Sequence, residues 1–186
     1  MSVLHEKHIT LIVTGSIAAY KACELVRLLS KARADVHVIL TPAAERFVGA
    51  TTFEALSGNP VLTDASHTPL SHIHLAQDAC DLILVAPASA DTLAKIALGI
   101  ADNLACQTVL ARTVPLLVAP AMNTAMWENP ATRRNVRLLK EDGVLFAGPA
   151  NGSLACGTTG AGRMIEPIQI VQAAEKALTE PVLAGK

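Results

Sequence analysis

Three stretches of the chain hold side chains whose type and spacing suit chemistry. Residues 151–164 read N-G-S-L-A-C-G-T-T-G-A-G-R-M, four glycines with the thiol of Cys156 in their midst. A segment so rich in glycine is either a flexible surface loop with an incidental thiol or a binding segment or lid. Of the four cysteines, Cys156 alone falls outside a predicted helix or its flank. Residues 120–123 read P-A-M-N and put the amide of Asn123 just after an apolar run. Residues 71–75 read S-H-I-H-L, with His72 and His74 two apart. That spacing does not share a helix face, which argues against a two-histidine metal site and leaves one imidazole as ordinary surface.

Two further turns are candidates for holding a phosphate. Thr14-Gly15-Ser16-Ile17 carries a single glycine, so it is not the G-x-G-x-x-G dinucleotide fingerprint. Gly15 permits close backbone approach, Ser16 offers a hydroxyl, and the following helix would aim its N–H groups at an anion. A tight turn with a serine N-cap accounts for the same residues equally well. Pro87-Ala88-Ser89-Ala90-Asp91-Thr92 is similar: Ser89 either caps a helix or joins Thr92 in holding a phosphate or ribityl chain.

The elements that must position these residues alternate. Strands are expected over 8–14, 36–40, 81–86, 114–119 and 144–147, rich in Val, Ile and Leu. Helices are expected over 18–32, 72–79, 89–98, 130–141 and 168–178, with short ones at 42–47 and 52–56. Residues 103–112 are expected to continue helically from the segment before them. In the first helix Ala22, Leu25, Val26 and Leu29 repeat at core-facing spacing. Strand then helix, repeated, predicts an α/β fold: Rossmann-like or flavodoxin-like, three layers, a parallel sheet with helices on both faces. Ligands of such folds sit beyond the carboxyl ends of the strands, where all the candidate turns lie.

Composition agrees. The chain has 186 residues, 51% hydrophobic and 17% charged, enough for one domain and too apolar for disorder. The surplus of Ala, Leu and Val fits a buried parallel sheet together with surface covered by other subunits. A net charge of −1 gives no basic field for nucleic acid, and clusters such as Arg133-Arg134 read as a solvated helix face. No run approaches the ~18 apolar residues of a membrane span, and the first residues lack the order of a signal peptide. A cytoplasmic protein is expected. Four scattered cysteines without a C-x-x-C pair predict no structural zinc, no metal site and no disulfide framework; Cys23, Cys80 and Cys106 read as buried thiols.

The segments G-S-I-A-A-Y-K (15–21), V-A-P-A-S-A-D-T-L-A-K-I-A (85–97), A-P-A-M-N-T-A-M-W-E-N-P (119–130) and L-A-C-G-T-T-G-A-G-R-M (154–164) occur in this order. Together they resemble the homo-oligomeric flavin-containing cysteine decarboxylases, and most closely the branch acting on 4′-phosphopantothenoyl-cysteine in coenzyme A biosynthesis. The resemblance implies FMN as cofactor and a small-molecule thiol substrate. It implies thiol oxidation, loss of CO2 and re-reduction to 4′-phosphopantetheine, a lyase reaction with no net redox change. By the same resemblance His72 is a base or orienting group, Asn123 holds the substrate carboxylate and Cys156 donates the final proton. Gly15, Ser16, Ile17, Thr41, Phe47, Ser89, Ala90, Asp91, Thr92 and Ala121 match positions contacting FMN. Met122, Asn123, Ser153, Ala155, Arg163 and Met164 match the substrate site and its clamp. Homotrimers, assembled further into dodecamers, are the family's oligomers.

The third loop departs from the family's usual S-A-N-T by carrying Asp91, a negative charge close to the expected flavin. Residues 1–180 are expected to form the decarboxylase domain, and 181–186 resemble the start of a linker to a CTP-dependent ligase domain. Peptidyl-cysteine decarboxylases share the P-x-M-N segment but lack A-C-G. Flavin prenyltransferases share the fold but not these two motifs. A flavin-binding regulatory subunit, or a flavodoxin-like electron carrier, would need no Asn–Cys–His set.

Overall fold

The computed structural model describes residues 2–66, 68–78, 80–153, 157 and 159–179. Five strands form one parallel sheet: β1 (His8–Val13), β2 (Asp35–Leu40), β3 (Leu82–Ala88), β4 (Leu116–Pro120) and β5 (Leu145–Phe146). Their order is β2-β1-β3-β4-β5, the flavodoxin-like variant of a doubly wound sheet. Every residue of the central β3 is buried, as its unbroken apolar sequence requires.

Helices cover both faces. Alternate residues of β1 and β3 divide between two cores, as the two-residue period of a strand dictates. Leu11, Val13, Leu82 and Leu84 pack with Ala22, Leu25, Val26 and Leu29 of α1 (Ala19–Lys31) and with Ile170 and Ala174 of the chain's last described helix, Pro167–Thr179. Ile12, Ile83 and Val85 pack on the other face with Leu93, Val109 and Leu139. Those three belong to α4 (Ala90–Ala97), α5 (Leu104–Leu110) and α7 (Pro130–Glu141). Between β2 and β3 lie α2 (Ala50–Ser57) and α3 (Ser71–Ile73), the latter running into a wide turn at His74–Asp78. No helix among the described residues is long and apolar enough to cross a membrane.

The structure departs from the sequence expectation in four places. The helical stretch expected to continue into 103–112 is two helices, because Gly99 takes a positive φ of 67° and Asn103 caps α5 by accepting from the Cys106 N–H at 2.9 Å. The glycine-rich 151–164 segment is not loop throughout: β6 (Ala150–Ser153) and β7 (Thr159–Arg163) pair antiparallel. A short α6 (Thr124–Glu128) follows P-A-M-N where no element was expected. Of the three thiols expected to be buried, Cys106 is, whereas Cys23 and Cys80 are half-buried. Desolvation nevertheless raises all three above the ordinary thiol value and keeps them protonated.

The chain leaves β1 toward β2 on one side and returns on the other as β3, so the crevice at the carboxyl ends of β1 and β3 is the topological switch point. Thr14, fully buried just past β1, spans it. Its hydroxyl donates to the Pro87 carbonyl at 2.6 Å and accepts from the Ser89 N–H at 2.9 Å. Thr14→Val keeps the side-chain shape but orphans both groups. It is expected to cost about 1–3 kcal/mol in denaturant unfolding with an unchanged m-value, while Thr14→Ser retains most of the stability.

Candidate functional site

The loop after β1 is shaped by Gly15 and Ser16. A Cβ on Gly15 would lie 2.5 Å from the Cβ of Ala43, so only glycine lets this loop nest against the loop after β2. The Ser16 hydroxyl accepts from the Ala18 N–H at 3.2 Å and the Ser16 carbonyl accepts from the Ala19 N–H at 2.9 Å, which starts α1. The serine therefore serves as a turn residue. No acceptor among the described residues takes up the N–H groups of Gly15, Ser16 or Ile17. They stand at the helix's positive end, where an anion is favoured.

The loop after β3 is organised by capping. Ser89 accepts from the Thr92 N–H at 3.2 Å and donates to the Thr92 hydroxyl at 3.1 Å, so both side chains are engaged with each other. Asp91 is exposed on the first turn of α4, a favourable place for an anion beside the helix dipole. Its carboxylate lies 3.5 Å from Lys95, which also pairs with Asp102 at 3.0 Å. The hydrogen bond to Asp102, then the charges of Asp91 and Asp102, outweigh desolvation and raise the Lys95 ammonium above its ordinary value. The negative charge that set this loop apart in the sequence is thus met within its own helix.

The loop after β4 ends on Asn123, which caps α6: Oδ1 accepts from the Met126 N–H at 2.8 Å. That bond fixes the amide's orientation, since only the oxygen can accept, and leaves the NH2 group for other partners. The Met122 N–H donates to the Gly162 carbonyl at 2.9 Å, tying this loop to the β6–β7 hairpin. Gly160 and Gly162 make the contact possible, for a side chain at either would run into Thr124 or the Met122 carbonyl.

The loops after β1 and β4, the start of α1 and the β6–β7 pair line an open cavity of about 520 Å³. Of the residues expected at the site, it gathers Ser16, Ile17, Ala121, Met122, Asn123, Ser153, Arg163 and Met164. Gly15, Ser89, Ala90, Asp91 and Thr92 lie in the flanking loops and do not line it. Thr41 is buried, its hydroxyl bonded to the Val13 carbonyl at 3.4 Å and to the Ala44 N–H at 3.3 Å. Phe47 is largely exposed. His72 sits half-buried on α3, which packs with α5 on the face of the sheet opposite α1, and it does not line the cavity. Ala155 and Cys156 lie outside the described residues.

Four lining residues were not among those expected from the sequence, Ala18, Tyr20, Lys21 and Gly162, and of these Tyr20 and Lys21 bring side chains that matter to a ligand. The signal was there: Tyr20 and Lys21 stand in the first turn of α1, directly after the 15–17 turn already expected to face a ligand. The Lys21 side chain is only 11% exposed, with Nζ 2.8 Å from Glu166 Oε1; Arg163 Nη2 lies 2.7 Å from the same oxygen. The hydrogen bond from Lys21, with the charges of Lys21 and Arg163, holds the Glu166 carboxyl below the usual range. It stays ionised at neutral pH, yet two cations share it, so the wall keeps a surplus positive charge. Free N–H groups at a helix start, an amide with spare donors, a surplus cation and apolar walls of Ile17, Met122 and Met164 fit a phosphorylated ligand with an apolar body.

Residues 2–179 match the Flavoprotein family. The coenzyme A biosynthesis bifunctional protein CoaBC of Bacillus subtilis is 46% identical over 185 residues, covering 97% of this chain and 45% of that protein. The chain thus spans less than half the length of this curated relative. A solved PPC decarboxylase mutant complexed with pantothenoylaminoethenethiol is similar at a TM-score of 0.84 and 34% identity, over 92% of this chain and 98% of that one. The FMN binding protein AtHal3 is similar at 0.80 and 34%, over 92% and 96%. With residues 2–179 matched by the family model, and with the parallel sheet between two helical layers that its sequence called for, the chain belongs to the Flavoprotein family.

Proposed function

We propose that this chain binds FMN at the β1/β3 switch point and decarboxylates 4′-phosphopantothenoyl-L-cysteine to 4′-phosphopantetheine. The observation that carries this proposal is the capped amide of Asn123, whose donors meet no acceptor among the described residues, at the cavity that Lys21 and Arg163 make positive. An amide donates to the substrate carboxylate without adding charge that would hold back departing CO2. The surplus cation suits the substrate's phosphate. Ile17, Met122 and Met164 give the substrate's apolar body an apolar wall. FMN, when bound, supplies reversible hydride exchange with the carbon bearing the thiol. Cys156 gives the final proton, because an ordinary thiol is mostly protonated at neutral pH. The chain corresponds to less than half of a bifunctional relative, and we assign it the decarboxylating activity, with a CTP-dependent ligase supplying its substrate.

Mass spectrometry of the products tests this. Wild-type protein should yield phosphopantetheine and CO2, and Cys156→Ser should stop at a product two hydrogens lighter. Asn123→Asp still caps α6, because Asp is as good a cap, but it sets a negative charge against the substrate carboxylate. It should lose about 100-fold or more in kcat/KM, roughly 2.7 kcal/mol. Full turnover in Asn123→Asp would refute the assigned role, and decarboxylation of a peptide's C-terminal cysteine in place of the small thiol would refute the substrate.

The place of His72, off the cavity of its own chain, supports a site completed by a neighbouring copy in a homotrimer, assembled further into dodecamers. The exposed Ile17 and Tyr20 at the cavity support the same closure. Inactive His72→Asn and Asn123→Asp proteins, unfolded and reassembled together, should regain part of the activity that neither has alone. Mixed oligomers that stay inactive would place His72 within its own chain's site or outside catalysis.

A further inference from the structure

The sequence suggested no metal site, because its cysteines form no C-x-x-C pair and His72 and His74 do not share a helix face. Strand register changes that. β1 and β2 pair with His8 opposite Asp35 and Thr10 opposite His37. Residues opposite one another in a parallel pair share a face, as do residues two apart on one strand. His8, Asp35 and His37 therefore project together at the amino ends of the two strands, the end of the sheet remote from the cavity.

The three converge closely. His8 Nδ1 lies 3.0 Å and His37 Nε2 3.1 Å from the same atom, Asp35 Oδ2. All three candidate ligand atoms fall within 4.8 Å of one another, and no other such group of His, Cys, Asp or Glu occurs among the described residues. The second carboxylate oxygen is held separately: Asn59 Nδ2 donates to Asp35 Oδ1 at 2.7 Å and to the Val36 carbonyl at 3.0 Å. That is the outer support by which ligands are oriented in metal sites. The nearby cation, Lys7, is paired with Asp81 at 2.8 Å and does not compete for Asp35. Burial alone would raise the Asp35 carboxyl, but the Asn59 hydrogen bond and the charge and hydrogen bonds of His37 and His8 bring it below its ordinary value.

We propose that His8, Asp35 and His37 bind a divalent ion of the zinc class, bridging β1 to the edge strand β2. Two imidazole nitrogens and a carboxylate oxygen are the donor set such ions prefer. Metal–ligand bonds of about 2.0–2.2 Å at tetrahedral angles separate ligand atoms by roughly 3.3 Å, close to the 3.0 and 3.1 Å between the ring nitrogens and Asp35. His8 and Asp35 are each more than two-fifths exposed, which leaves room for water to complete the coordination. The site is independent of the proposed decarboxylation.

Calorimetric titration of the full chain with ZnCl2 at neutral pH tests the proposal. Wild type should take up one equivalent per chain, and His8→Gln and His37→Gln should each weaken that binding by at least about tenfold. Asn59→Ala, with all three ligands intact, should weaken it by a smaller factor. Decarboxylation without zinc should be unchanged in all of these variants. Zinc held by cysteines would persist in the His8→Gln/His37→Gln double variant. Equal uptake by that variant, or no uptake by wild type, overturns the site. Should the variants fail to fold, anomalous scattering from wild-type crystals soaked in ZnCl2 decides the matter: a peak among the three side chains supports the site and its absence refutes it.

Discussion

The hydroxyl of Thr14 stands where the chain, having left β1 for β2, comes back on the far side as β3. By donating to the Pro87 carbonyl and accepting from the Ser89 N–H, it fastens together two strand ends far apart in sequence. Buried hydrogen bonds of this kind contribute modestly when made and cost more when broken. Here they also fix the width of the crevice. On one side the 15–17 loop presents backbone N–H groups with no acceptor among the described residues; on the other Ser89 starts α4. The same strand-end logic holds at β4, where Asn123 starts α6, and glycines let the β6–β7 hairpin close over it.

The site is built by giving polar side chains structural work that leaves a defined remainder. Ser89 and Thr92 are spent on each other, and Asp91 is met by Lys95. Asn123 spends its oxygen on the cap and keeps its nitrogen. Glu166 satisfies Lys21 and Arg163 only in part, so the wall keeps positive charge. What remains among the described residues is a set of donors with no carboxylate lining the cavity, which selects for an anionic ligand more sharply than any one residue could.

Much of this was legible in the sequence. Period-two and period-3.6 patterns give the parallel sheet and α1, down to the face formed by Ala22, Leu25, Val26 and Leu29. The rule that loops after parallel strands hold ligands finds Ser16, Ala121 and Asn123. What escaped depends on distance in space. The hairpin at 150–163 reads as loop because its glycines are there for close approach to Met122 and Thr124 and not for strand propensity. The break between α4 and α5 rests on one positive-φ glycine and one asparagine cap. Lys21 takes its place at the site from Glu166 and Arg163, some 140 residues later in the chain. Asp35, His37 and His8 are joined only by register.

We propose the crevice held by Thr14 as a flavin mononucleotide site opening toward Asn123. A crystal structure of the purified protein saturated with FMN tests it directly. The phosphate should lie against the N–H groups of residues 15–17, with the ring system extending toward the Asn123 amide. Flavin bound elsewhere on the chain, or a crevice that stays empty at saturating FMN, would contradict it.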